Sequence, residues 1–117
     1  MSVSGAIAER YAANFLRRKK YQLIEYNYST RFGEIDLIFT KGKYIIFVEV
    51  KSRDENAIAE PKEFVDSSKQ KKIIATSQLY MSTHSVELQP RFDIIEVICS
   101  NDEILYAKHL ENAFTLD

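Results

Sequence analysis

The chain has no tryptophan, one cysteine, two prolines and three glycines among its 117 residues. A single thiol, Cys99, excludes an internal disulfide, and a chain that folds without one suits a reducing cytoplasm. So few prolines and glycines leave no Pro/Gly/Ser linker, and no repeat or low-complexity tract is present, so one domain spanning 1–117 is expected. No apolar run approaches the roughly 20 residues needed to cross a bilayer. The opening Met1-Ser2-Val3-Ser4-Gly5 lacks the basic patch and apolar stretch of a signal peptide, so no membrane partner is expected. A charge excess is absent too. Sixteen basic residues face seventeen acidic ones, for a net charge of −1 and a pI near 6.1, which argues against a strong nonspecific grip on nucleic acid.

What is present is charge segregated along the chain. Arg17-Arg18-Lys19-Lys20 forms one basic block, and Lys69, Lys71 and Lys72 form another. From Phe92 onward Lys108 is the only Lys or Arg, against Asp93, Glu96, Asp102, Glu103, Glu111 and Asp117. This pattern permits a molecule with a basic and an acidic face, and equally permits solvated helix ends where cations suit the dipole.

Hydrophobic periodicity gives the elements. Ile7, Ala8, Tyr11, Ala12, Phe15 and Leu16 recur at helical spacing, predicting a helix from Ser4 to Lys20 with its basic block in the last turn. Tyr21–Tyr28 and Glu34–Thr40 read as strands. A tight turn centred on Gly42 leads into a third strand, Tyr44–Ser52, completing an antiparallel meander. Arg53 to Glu60 reads as a polar connection, and Pro61 as a new start. A second helix follows over Phe64–Met81, with Asp66 or Ser67 as cap. Strands over Pro90–Ser100 and Glu103–His109 come next, and a loosely held tail from Glu111. The expected fold is therefore α/β, in the order αβββαββ, with helices flanking a mixed sheet because a helix between the third and fourth strands allows a parallel crossover.

Two of these apolar strands carry charges. Gly33-Glu34-Ile35-Asp36-Leu37-Ile38 contains Asp36, and Phe47-Val48-Glu49-Val50-Lys51 contains Glu49 and Lys51. Charges in such runs cost several kcal/mol or more unless compensated, and a hard divalent cation such as Mg²⁺ compensates paired acids through oxygen ligands. Alternation puts Glu49 and Lys51 on one strand face, roughly 6–7 Å apart, and the hairpin through Gly42 brings Asp36 beside Glu49 in one register. Acids so placed raise one another's pKa and attract a cation. That site would polarise a phosphodiester and lower the pKa of a bound water, with Lys51 orienting the water or stabilising the phosphorus oxyanion. The Val50 carbonyl is a candidate extra ligand, and Glu9 is a third acid beside the apolar face of the first helix. The competing reading is a solvated sheet face with a cross-strand ion pair.

The strings GEIDLI, FVEVKSR and RFDII, with Ala8-Glu9 in the first helix and Lys69-Gln70 in the second, resemble the YraN-like family of small bacterial proteins over about Gly5 to Ile98. That family looks like a member of the restriction-endonuclease-like superfamily, with its PD-(D/E)xK active site, close to the archaeal Holliday junction resolvases. The resemblance implies an Mg²⁺- or Mn²⁺-dependent endonuclease acting on DNA, branched or otherwise structured DNA included. Asp36 and Glu49 would be metal ligands, Lys51 the catalytic lysine, Glu9 an accessory acid, and Gln70 a helix residue reaching the site. No proline precedes Asp36, and the loop over Asn56–Lys62 has no glycine. The alternative is a catalytically silent nucleic-acid-binding or assembly module on the same fold. Resolvase-like work on two strands would require a homodimer.

Around this centre, Arg17, Arg18, Lys19, Lys20, Lys69, Lys71 and Lys72 are candidate phosphate contacts; Arg53 either joins them or pairs with a neighbouring acid. Arg91 and Asp93 are expected to form a structural ion pair at a strand start. Tyr11, Phe15, Tyr26, Tyr28 and Phe32 are expected in the core, with base stacking as the alternative. Glu34 is read as flanking a turn, His84 and His109 as surface residues, and Cys99 as a small packed side chain.

Overall fold

A computed structural model describes residues 3–57 and 65–115. Helix α1 spans Gly5–Arg18; Ser4 caps it, its Oγ accepting from the Ile7 N–H at 3.2 Å. It closes in a Schellman turn, with the Tyr21 N–H bonded to the Leu16 carbonyl at 3.1 Å and the Lys20 N–H to that of Arg17 at 3.0 Å. Strands β1 (Gln22–Thr30), β2 (Gly33–Lys41) and β3 (Tyr44–Asp54) follow, then α2 (Ser67–Thr83), β4 (Gln89–Ser100) and β5 (Glu103–Phe114). The order αβββαββ is the expected one. The expected polar connection to Glu60, new start at Pro61 and helix onset at Phe64 fall on 58–64, outside the described residues.

The five strands form one mixed sheet in sequence order; β3 and β4 pair parallel across the α2 crossover and the other neighbours pair antiparallel. Alternation sends each strand's apolar residues to both faces. Leu37, Phe39, Ile46, Val48, Ile95 and Val97 pack with Ala8, Ala12 and Leu16 of α1. Ile38, Ile45, Phe47, Phe92 and Ile94 pack with Ile73 and Tyr80 of α2. The result is a helix on each side of the sheet. Gly33 sets the seat of α2: a Cβ there would come within 3.3 Å of the Lys72 Cβ.

One expectation is corrected at the C-terminal end. β5 does not stop at His109; it continues to Phe114, so 111–114 are not a loose tail. Phe114 stacks on Phe92 at 5.1 Å and is buried, so apolar area anchors the end of the chain. Phe92 stacks in turn on Phe47 at 5.6 Å. The aromatics expected in the core divide. Tyr28 packs on Tyr80 and Phe15 borders the α1 cluster, whereas Tyr26 and Phe32 are exposed. Among the described residues no helix is long and apolar enough to cross a membrane.

Candidate functional site

The β2–β3 ladder runs from the turn at Gly42 only as far as Leu37↔Val48. Beyond it β2 stays paired with β1 while β3 stays paired with β4, so the two central strands part. Asp36 and Glu49 are the next residues on either side of that opening, and both are buried. Asp36 Oδ2 accepts the Val50 N–H at 2.7 Å, a bond that in an unbroken ladder would go to a backbone carbonyl. Because N–H and C=O of one strand residue point the same way, the Val50 carbonyl is directed toward Asp36 as well.

Two amines approach Glu49. Lys69 Nζ lies 2.6 Å from Glu49 Oε1 and Lys51 Nζ lies 3.6 Å from the same oxygen. Lys69 is aimed by local structure: Asp66 caps α2 by accepting the Lys69 N–H at 2.8 Å, which fixes the first turn over the sheet opening. Gln70, expected to reach the site, instead donates its side-chain amide to the Val65 carbonyl at 2.9 Å. Of the Lys69-Gln70 pair, the lysine makes the contact with Glu49, and it stood among the expected phosphate contacts.

The electrostatics are unbalanced. Burial pushes the Asp36 carboxyl up to about 7, Glu49 adds to this, and the Val50 N–H opposes it. Glu9 raises Asp36 further and Lys69 draws it down. Burial and the neighbouring Lys69 ammonium hold Lys51 below the ordinary lysine range, against the pull of Glu49 and Asp36. Burial works against the charge on Lys69 too, but its contacts with Glu49 and Lys51 prevail and hold it above that range. The structure thus brings together Asp36, Glu49, Val50, Lys51 and Lys69. Glu9 acts on Asp36 as a charge through space; among the described residues no three Asp, Glu, His or Cys side chains gather closely enough to cage an ion.

Other expected residues lie elsewhere. Arg53 takes its ion-pair alternative. Its guanidinium forks onto the fully buried Glu96 at 2.7 and 3.4 Å and donates to the Ala57 carbonyl. Arg17, Arg18, Lys19, Lys20, Lys71 and Lys72 are exposed. Arg91 grips Asp93 through two bonds, 2.9 and 2.8 Å, the structural pair expected at the start of β4. His109 is not a surface residue: its Nε2 lies 2.6 Å from Asp93 Oδ2 and its side chain is buried, because the β4–β5 register sets it opposite Ile95. His84 is exposed, though stacked on Tyr80 at 4.0 Å. Glu34 accepts from Ser29 across the β1–β2 turn.

The chain is thus an α/β protein whose mixed sheet opens at a pair of buried acids attended by two lysines. It belongs to the family described as "Uncharacterised protein family UPF0102", whose sequence model matches residues 8–97. It is 42% identical to a UPF0102 protein of Caldanaerobacter subterraneus subsp. tengcongensis, over 94% of this chain and 93% of that protein. Identity is 38% to a UPF0102 protein of Persephonella marina, over 98% and 96% of the two chains, and 40% to one of Alkaliphilus oremlandii, over 94% and 96%.

Proposed function

We propose that this protein is an endonuclease of the restriction-endonuclease-like superfamily, hydrolysing phosphodiester bonds in DNA with Mg²⁺ or Mn²⁺. One observation carries the reading. A buried aspartate, raised to about 7, faces a second buried acid at the point where two central strands part. Strongly perturbed groups converging at an opening in the sheet are the mark of a working site. The donor set fits a hard cation, since Asp36, Glu49 and the Val50 carbonyl all offer oxygen. When bound, such an ion neutralises charge developing on the phosphoryl oxygens and lowers the pKa of its water.

The chain's own residues supply the rest. The Val50 N–H fixes the orientation of Asp36. Lys69 Nζ, 2.6 Å from Glu49 Oε1, holds that carboxylate in place. Lys51, whose proton is less firmly held than an ordinary lysine's, is the group suited to orient the attacking water or to stabilise the phosphorus oxyanion. Cutting both strands of a branched molecule would need two copies of the chain, related by symmetry.

The test is a panel of linear duplex, single-stranded and four-way DNA against Mg²⁺, Mn²⁺ and chelator. Cleavage is expected only with a divalent ion, lost in Asp36→Ala and Glu49→Ala. Lys51→Ala is expected to slow it by about 10²-fold or more. Undiminished cleavage by folded Asp36→Ala protein ends this reading. One observation favours a second: Glu49 is already neutralised by two lysines, and no three-carboxylate group is assembled among the described residues. A catalytically silent nucleic-acid-binding module would accordingly bind DNA equally well in chelator and cleave none of the panel.

A further inference from the structure

At the turn end of β2 and β3, away from the acid pair, a cleft of about 400 Å³ is lined by Lys19, Lys41, Lys43 and Arg91 beside the rings of Tyr21 and Tyr44, with Glu111 the one carboxylate among the described residues. A neighbouring cleft of about 440 Å³ shares Lys43, Tyr44, Arg91 and Glu111 and extends it past Gln89. In a chain of net charge −1 this concentration of cations is a local arrangement. Setting Glu111 and the Asp93 behind Arg91 against the four cations leaves an excess of two positive charges.

The cations are held in position. Lys41 donates to the Lys19 carbonyl and lies 4.8 Å from the Tyr21 ring centre. Lys43 lies 5.4 Å from the Tyr44 ring. Arg91 sits 5.1 Å from Tyr44 and 5.8 Å from Tyr21, its Nε and Nη2 clamped by Asp93 and the same Nη2 donating to the Tyr21 hydroxyl at 2.8 Å. Beside Lys19 the backbone is strained. Lys20 occupies the left-handed position of the Schellman turn at φ 73°, where glycine is the usual residue. Preset cations need little further ordering to meet an anion.

We propose that this cleft binds a phosphodiester phosphate of a nucleic-acid strand, anchoring it well away from the acid pair. The proposal rests on the nucleic-acid reading above and adds a contact point to it. The strand gives the separation: from Glu49 to Tyr44 is five residues of β3, about 17 Å, which corresponds to about five base-pair steps at 3.4 Å.

The experiment measures binding of labelled duplex and four-way DNA in chelator over a series of salt concentrations, using wild-type protein, Lys41→Glu/Lys43→Glu and Lys41→Gln/Lys43→Gln. Both lysines are exposed, and thermal unfolding confirms that each variant is folded. The expected result is an affinity at least tenfold lower in the Glu variant. The slope of log affinity against log salt should be shallower by about 2 in both, since each lost phosphate contact removes about 0.9. Inorganic phosphate should displace DNA from the wild type at an ionic strength where chloride does not. Wild-type affinity and slope in both variants overturn the cleft while leaving the nucleic-acid reading standing. A wild-type protein that binds no DNA overturns both. Protection by inorganic phosphate without DNA binding assigns the cleft to free phosphate and overturns the strand as its ligand.

Discussion

Asp93 and Asp36 are both aspartates buried on central strands, and the molecule treats them in opposite ways. Asp93 receives two bonds from Arg91, one contact from His109 at 2.6 Å and the Asn112 N–H at 3.0 Å. Burial alone would raise its pKa; those donors overcome it and hold the carboxyl below the ordinary range. Asp36 receives one N–H and faces a second acid, and it rises to about 7. The two buried glutamates repeat the contrast. Glu96 is fully enclosed and forked by Arg53, whereas Glu49 is attended by lysines whose side chains remain 38% and 32% exposed. Arginine's planar fork locks a carboxylate, while a lysine is a mobile point charge that another cation can replace. Burial is common to all four acids, so it does not mark the site. The balance of donors against burial does: donors prevail over burial at Asp93, and burial prevails over the Val50 N–H at Asp36.

The largest expected effect lies at the saturated centre. Asp93→Ala leaves the Arg91 guanidinium, His109 and the Asn112 N–H without their acceptor, and breaking a buried pair in this way costs about 3–5 kcal/mol. Urea unfolding at neutral pH measures it, and a loss under about 1 kcal/mol would erase the contrast. The next effect has the opposite sign. With its folded pKa raised to about 7 from 3.8, Asp36 binds a proton in the native state that the unfolded chain has already released between those values. Wild-type stability should therefore fall as pH climbs from about 4 to 7, with the penalty complete above 7. Asp36→Asn carries no such charge and keeps an oxygen for the Val50 N–H. In chelator it should be more stable than wild type above pH 7 by about 2–4 kcal/mol, the difference vanishing near pH 4. Thermal midpoints across that range decide it; a variant less stable than wild type at pH 8 would show that the acid is satisfied after all.

Which parts were readable in the sequence follows from the range of the interactions. The element order and the approach of Asp36 to Glu49 depend on local periodicity and a short hairpin through Gly42, and both signals are written within about twenty residues. The extension of β5 to Phe114 was hidden by a register shift between Phe92 and Ile94 and by Asn112 at φ 52°, where the pattern of alternation breaks. His109 looked like a surface residue because its partner, Asp93, lies sixteen residues away and is brought close only by the β4–β5 pairing. The parallel crossover likewise decides which lysine of α2 enters the site. One signal was available: Lys69 sits in the first turn of a helix with no acid there, where the dipole disfavours a cation unless a partner is waiting.

That partner gives the finest test of the comparison. Lys69→Met keeps an unbranched, flexible stem and removes only the ammonium closer to Glu49. Because Lys69 is partly exposed and Lys51 remains 3.6 Å from the same oxygen, the stability cost should stay near 1 kcal/mol or less. The electrostatic change should be plain nonetheless. Lys69 is the nearby cation that draws Asp36 down, so its loss should move the Asp36 titration upward; carboxyl-carbon NMR in chelator reads that shift directly. Lys51, released from a neighbouring ammonium, should move up as well. Asp93 should stay where it is, since its donors all come from β4 and β5. If Lys69→Met instead unfolds the protein as Asp93→Ala does, then the lysine is as structural as the arginine, and the opening between β2 and β3 is a second saturated network with no vacancy for a ligand.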